Sequence, residues 1–283
     1  MPVDRILSPD DPRVHDYRAV REPELVRRRG LFIAEGRLVV SRLLALPHSR
    51  IRSILVSDAG LAALRAEAAD RLDARPELPL HLAAADVIDA IGGFHFHRGC
   101  LAIAERPPDL DPATLIAAAA PGRPLVVAEG LAQADNVGSI LRNAHAFGAA
   151  GLMLDPASVD PLYRKALRTA MGATLVVPWA RLEPWPAGLV RLREAGIVLA
   201  ALTPRPTAQP LAAFVAGHAD GAVALLVGAE GAGLTEAALA RADAQVRIPM
   251  ASGADSINVA TATGIALHAL AAAASPGSDR ARR

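Results

Sequence analysis

The sequence predicts an α/β protein built from two successive domains, and three observations carry that expectation. Short apolar runs alternate with stretches of helical spacing along most of the chain, the pattern of repeated βα units. A stretch with prolines at 107, 108, 112, 121 and 124 around a short alanine-rich run interrupts the alternation. At 283 residues, 52% of them apolar, the chain is long enough for two ordinary cores.

In the first part, YRAVREPELVRRRG (17–30) reads as a charged helix, LFIAEG (31–36) as a strand, GRLVVSRLLAL (36–46) as a helix and IRSILVS (51–57) as a strand. GLAALRAEAADRLDA (60–74) has helical spacing and LPLHLAA (78–84) strand character. ADVIDAIGG (85–93) is a helix stopped by glycine, and RGCLAIAE (98–105) is a strand. Residues 1–106 therefore form a small α/β domain, and 107–123 have the composition of a linker.

The alternation resumes with PLVVAEGL (124–131) as a strand, a helix over 137–147, the strand GLMLD (151–155) and the helix PLYRKALRTAMGA (161–173). LVVPWA (175–180) and GIVLAAL (196–202) read as strands around the helix AGLVRLREA (187–195). VALLVG (223–228), LTEAALARA (234–242), AQVRIPM (244–250) and an apolar helix over 257–274 complete residues 124–274. Repeated βα units imply a parallel sheet covered on both faces. The tail SPGSDRARR (275–283) is expected to be disordered.

Composition excludes several classes. Charged residues at 21% and a mean hydropathy of +0.27 argue against disorder. Thirty basic against 29 acidic residues leave a net charge of +1, so any nucleic-acid surface must be local. Nearly all that positive charge is arginine, Lys165 being the one lysine. A single cysteine, Cys100, excludes an intrachain disulfide, and the first residues lack a signal-peptide run, which together imply a reducing, cytoplasmic setting. The stretch 257–274 contains Asn258, two threonines and His268, so it reads as a buried helix and no membrane span is expected.

Three segments carry chemistry. In AEGLAQADNVGSILRNAHAFGA (128–149), Val137, Ile140, Leu141, Ala144 and Phe147 form one helical stripe. Arg142 points away from that stripe, and Asn136 stands where an N-cap is wanted. In LLVGAEGAGLT (225–235), a strand runs into glycines at 228, 231 and 233, with Glu230 at the carboxyl end where open α/β sheets bind ligands. The spacing is GxxGxG rather than the dinucleotide GxGxxG, and the acidic residue expected about 20 positions later is missing. In RIPMASGADSINVATATGIALHAL (247–270), Ser256 and Asn258 sit at a helix N-terminus, where N–H groups collect. Alone, the first and third segments also fit ordinary capped helices and the second a structural turn.

Together, NxGxxxR at 136–142, GAEGxGL at 228–234 and IPMxxGxxSINVAxAxxIAL at 248–267 resemble, in order and spacing, the SpoU (TrmH-like) family of RNA 2'-O-ribose methyltransferases in the SPOUT superfamily. The resemblance covers 124–270, and YRKALRTAMGA (163–173) and HRGCLAIA (97–104) agree with it. It implies a C-terminal domain with a deep trefoil knot, a rare exception to unknotted topology. It also implies that S-adenosylmethionine is held in the knot near Val227, Gly228, Ala229, Ile248, Met250, Ser256, Ile257 and Asn258. By the same resemblance Arg142 is catalytic, Asn136 and Glu230 position RNA and the arginine, and Ser256 and Asn258 shape the site. Arg142 would bind a phosphate and the ribose 2'-oxygen, with proton loss assisted by that phosphate or by Arg142 itself. The resemblance further implies a homodimer that completes the active site across its interface and a substrate that is ribosomal or transfer RNA. Two departures stand out: Ala260 where many members carry serine, and His268 where tyrosine or phenylalanine is common.

By resemblance, residues 1–106 are a substrate-binding domain similar to a ribosomal-protein RNA binder. Arg27, Arg28, Arg29, Arg37 and Arg42 are candidate RNA contacts, although charge runs also form plain solvated faces. Arg164 and Arg168, with Tyr163, lie at helical spacing and fit RNA, surface or dimer roles equally. His95, His97 and Cys100 offer HxHxxC without a fourth ligand group, so no metal is expected. Two other classes compete, a nucleotide-binding oxidoreductase using GAEGAG as a phosphate turn and a non-catalytic RNA-binding protein. Glycine spacing counts against the first, and the presence of Arg142 and an intact third segment counts against the second.

Overall fold

The structure is a computed structural model and describes residues 3–18, 22–92 and 99–274. The chain forms two compact units, Met1–Pro108 with Asp160–Leu175, and Asp109–Val159 with Val176–Arg283. The expected tail over 275–283 lies outside the described residues.

The first unit holds β1 (Val3–Ile6), β2 (Leu31–Glu35), α1 (Arg37–Ala45), β3 (Ile51–Val56), α2 (Asp58–Asp73), β4 (Leu80–Ala83), α3 (Ala85–Gly92) and β5 (Cys100–Glu105). They make a five-stranded sheet in the order β1-β4-β3-β5-β2. β1, β4 and β3 are parallel, and β5 runs antiparallel to β3 and β2. Ile6, Tyr17, Leu55, Ile88, Leu101 and Ile103 form its core. The charged helix expected over 17–30 does not form as such. A 3-10 turn spans Pro12–Tyr17, a π turn spans Glu24–Arg28, and 19–21 lie outside the described residues. Glu22 and Pro23, just before that turn, are also helical. Tyr17 anchors this segment: its side chain is buried and its hydroxyl lies 2.9 Å from Ser53 Oγ. β1 was not anticipated, since VDRI is short and half polar; it lies at the sheet edge beside β4.

The second unit begins with α4 (Pro112–Ala118) inside the expected linker. Asp111 caps it by accepting from Ala113 N at 2.8 Å, Pro112 opens its first turn, and Leu115 is buried in the core with Leu125, Met153 and Leu182. Proline density thus marked a helix start here instead of a flexible tether. Next come β6 (Leu125–Ala128), α5 (Ala134–Ala146) and β7 (Gly151–Leu154). α6 (Arg164–Thr169) follows, in the segment that belongs to the first unit. The second unit resumes with β8 (Trp179–Arg181), α7 (Val190–Glu194), β9 (Val198–Leu202), β10 (Gln209–Pro210) and α8 (Leu211–Gly217). β11 (Val223–Val227), α9 (Glu236–Leu239), β12 (Ala244–Arg247) and α10 (Val259–Ala273) complete it. The expected parallel sheet is present: seven strands, all parallel, in the order β10-β12-β9-β11-β6-β7-β8. β11 is central, registered against β6 from Ala224↔Leu125 to Val227↔Ala128, and every one of its residues is buried. The loops that follow β6, β9, β11 and β12 leave the sheet at its carboxyl edge, where ligands bind in open α/β folds.

α6 packs beside β2 within the first unit. Arg164 Nε donates to Glu35 Oε2 at 2.8 Å, Arg168 Nη1 approaches Glu35 Oε1 at 3.3 Å, and Glu35 is buried. The Arg164 backbone N–H donates to Glu22 Oε1 at 2.6 Å. Burial pushes the Arg164 guanidinium below its ordinary pKa and the Glu22 carboxyl above its own.

Candidate active site

The strand β11 ends in the loop 228–235, whose shape requires glycine. A side chain on Gly228 would bring its Cβ within 2.3 Å of the Gly233 carbonyl carbon, so the loop's two arms touch backbone to backbone. Gly233, with φ of 69°, donates its N–H to Ala229 O at 2.9 Å and closes the turn. Glu230 stands at the tip of this turn.

Facing it is the loop after β12, which ends at Asn258. Asn258 is the N-cap of α10: its Oδ1 accepts from Ala260 N at 2.9 Å and Thr261 N at 3.2 Å. Its Nδ2 donates to Glu230 Oε1 at 2.7 Å and to Asn136 Oδ1 at 3.0 Å. One amide therefore joins the β11 loop, the start of α10 and α5. Asn136 does not cap α5 as expected. That helix starts at Ala134 after Gln133, so Asn136 lies in its first turn, buried, with its side chain turned to Asn258.

Between the two loops lies a cleft of about 470 Å³. All eight residues expected to hold a cofactor line it: Val227, Gly228 and Ala229 from the first loop, and Ile248, Met250, Ser256, Ile257 and Asn258 from the second. Leu202, Thr203 and Pro204, at the end of β9, also line it and were not singled out from the sequence. Their signal was available, a strand of apolar residues ending in TPRP at the same carboxyl edge. The lining joins apolar side chains to a few polar groups, the composition of a site for a small organic cofactor.

Beyond Asn258 lies an open surface depression that Asn258 itself also lines, together with Ser139, Arg142, Asn143, Thr261 and His268. Arg142 is exposed and makes no side-chain hydrogen bond or ion pair among the described residues. Asn136 and Glu230 both hydrogen-bond to Asn258, and neither is hydrogen-bonded to Arg142 among the described residues. α5 and α10 are pinned again further along, where Asn143 Nδ2 donates to Ala260 O at 2.7 Å. His268, the departure noted above, meets Phe147 edge to face at 5.5 Å.

The arginines expected to bind RNA divide into two groups. Arg27 and Arg28 are exposed. Arg29 pairs with Asp16 and Glu24, and Arg37 pairs with Glu67 at 2.7 Å. Arg164 is largely buried and paired with Glu35, an acidic partner 129 residues away that helical spacing alone cannot reveal. Arg168 shares Glu35 while remaining partly exposed. His95 and His97 lie outside the described residues, and burial pushes the Cys100 thiol up to about 12. Among the described residues no group of three His, Cys, Asp or Glu is placed to hold a metal, and no helix is long and apolar enough to cross a membrane.

A parallel sheet whose carboxyl edge opens on a glycine-shaped cleft defines an α/β protein that holds an organic cofactor there. Residues 123–268 match the model of the SpoU rRNA Methylase family. An uncharacterized tRNA/rRNA methyltransferase of Mycobacterium tuberculosis is 42% identical over 94% of this chain and 91% of its own. The 23S rRNA (guanosine-2'-O-)-methyltransferase RlmB of a Burkholderia species is 31% identical over 70% of this chain and 83% of its own. The AdoMet-bound rRNA methyltransferase from Sinorhizobium meliloti superposes with a TM-score of 0.76 at 26% identity, covering 95% of this chain and 97% of that one. The chain belongs to the SpoU rRNA methylase family and is an RNA methyltransferase.

Proposed function

We propose that this protein transfers the methyl group of S-adenosylmethionine to a ribose 2'-hydroxyl of ribosomal or transfer RNA. The observation that carries the proposal is Asn258, which forms a wall common to the cofactor cleft and the depression bearing Arg142. A cofactor on one side and an RNA nucleotide on the other would then meet at the start of α10. The cleft suits this cofactor: Val227, Ile248, Met250 and Ile257 offer apolar surface, the backbone of 228–231 and the side chains of Ser256 and Asn258 offer polar contacts, and Glu230 offers negative charge.

When bound, S-adenosylmethionine supplies an electrophilic methyl on a sulfonium that leaves as a neutral thioether. The 2'-hydroxyl is a weak nucleophile and must lose its proton as the new O–CH₃ bond forms. The unengaged, exposed Arg142 binds the neighbouring phosphate and stabilises negative charge developing on the 2'-oxygen. Loss of the hydroxyl proton is assisted by that phosphate or by Arg142 itself. Asn258, held by Asn136 and Glu230, fixes the start of α10 between the two sites.

We further propose that the loops around the cleft form a trefoil knot and that the enzyme acts as a homodimer in the cytoplasm. Residues 1–106 then serve as the RNA-binding domain, with Arg27 and Arg28 as its contacts. The family resemblance of 124–270 supports these readings. Tritium transfer from methyl-labelled S-adenosylmethionine to total RNA of a strain lacking the gene tests the central one. Wild type is expected to label RNA, and Arg142→Ala to lose ~10²-fold or more in rate, as for removal of one charge-stabilising donor, while still binding S-adenosylmethionine. Wild-type rates in Arg142→Ala would refute the role of the arginine.

A further inference from the structure

A buried carboxylate outside the cleft brackets the loop that forms one of its walls. Glu129 follows β6 directly and is buried, with 6% of its surface exposed. Its backbone N–H donates to Val227 O at 2.9 Å, where the loop 228–235 leaves the sheet. Its carboxylate receives the other end of the same loop: Oε2 accepts from Thr235 N at 2.8 Å, and Oε1 accepts from Thr235 Oγ1 at 2.8 Å. Trp185 Nε1 donates to the same Oε1 at 2.7 Å, which fixes the carboxylate from its far side. Thr235 Oγ1 in turn accepts from Ala238 N at 3.2 Å and caps α9.

We infer that Glu129 is a positioning residue for the cofactor: by holding both ends of the loop 228–235 it sets where Gly228, Ala229 and Glu230 face the cleft, although it does not line the cleft itself. The inference rests on the proposal that S-adenosylmethionine binds there. Its physical basis is that a buried carboxylate is an acceptor only, and here all three donors converge on it. An amide at this place keeps one oxygen for Trp185 and the Thr235 hydroxyl but turns N–H groups against Thr235 N–H. Two donors then face each other at the loop's end, and the loop shifts. The glycine contact makes that shift matter, because Gly228 and Gly233 already touch and leave the turn no slack.

Calorimetric titration of the full-length protein with S-adenosylmethionine tests this, with RNA methylation kinetics alongside. Glu129→Gln is expected to bind the cofactor at least tenfold more weakly and to raise KM for it, with kcat at saturating cofactor close to wild type. Thr235→Ser keeps both bonds and is expected to stay within about threefold of wild type. A purely structural role would lower the folded fraction without moving KM. Wild-type affinity in Glu129→Gln would overturn the inference. If that variant does not fold, Thr235→Val takes its place, since it deletes the hydroxyl bond to Glu129 and the α9 cap while keeping the Thr235 N–H bond: in a preparation whose thermal melt shows it folded, weaker binding by threefold or more supports the inference, and unchanged binding overturns it. Failure of the wild type itself to bind S-adenosylmethionine would instead overturn the cofactor reading, and is seen before any variant is compared.

Discussion

Asn258 does two jobs with the two ends of one amide, and substitution can separate them. The carbonyl oxygen caps a 15-residue helix, and the NH₂ group holds Asn136 and Glu230. Serine is as good a cap as asparagine but is too short to reach both partners. Asn258→Ser should therefore be more stable than Asn258→Ala by ~1 kcal/mol, the worth of a cap, while the loss of the Asn136 bond destabilises both alike. Both variants leave the buried Asn136 carbonyl without its donor, and both should lose methylation at least tenfold. Thermal melts and methyl-transfer rates on the same preparations read the two effects apart. Full activity in Asn258→Ser would show that capping is the whole role of this residue.

The loop 228–235 and the start of α10 were legible in the sequence because their signals are local: glycines at fixed spacing after an apolar strand, and a capping residue before an apolar run. Where a long-range contact decides, sequence spacing misled. Asn136 has a cap's composition yet turns to a partner 122 residues away, and Arg164 has a surface spacing yet lies against Glu35. α4 and α8 were hidden by neighbouring prolines, which in fact open both helices: Pro112 takes the first helical position of one and Pro210 immediately precedes the first turn of the other. Glu129 carried no sequence signal of its own, since three of its donors come from residues 56 and 106 positions distant. The backbone contact between Gly228 and Gly233 also makes a prediction. Gly228→Ala must displace the loop and should weaken S-adenosylmethionine binding by more than tenfold, measured by calorimetry. Gly217, at the end of α8 with open space around it, is the control; Gly217→Ala should leave binding unchanged.

Taken as a whole the molecule is nearly neutral, so its affinity for RNA has to come from the few cations that are not already engaged. Arg29, Arg37, Arg164 and Arg168 each face an acidic partner inside their own unit, and removing one of them sacrifices an ion pair along with any phosphate contact. Arg27 and Arg28 are exposed on the turn Glu24–Arg28 and engage no acidic partner among the described residues. Each phosphate neutralised on single-stranded RNA contributes about −0.7 to the slope of log K against log salt. The double variant Arg27→Ala, Arg28→Ala is therefore expected to flatten that slope by about 1.4 if each arginine holds one phosphate, while calorimetry gives the same cofactor affinity as wild type. Arg37→Ala, whose guanidinium is committed to Glu67, should change the slope by less than one such step. Filter binding of RNA across a salt series distinguishes these outcomes. A slope unaltered in the double variant would move the RNA contacts off this turn, leaving Arg142 as the exposed and unengaged arginine beside the cleft.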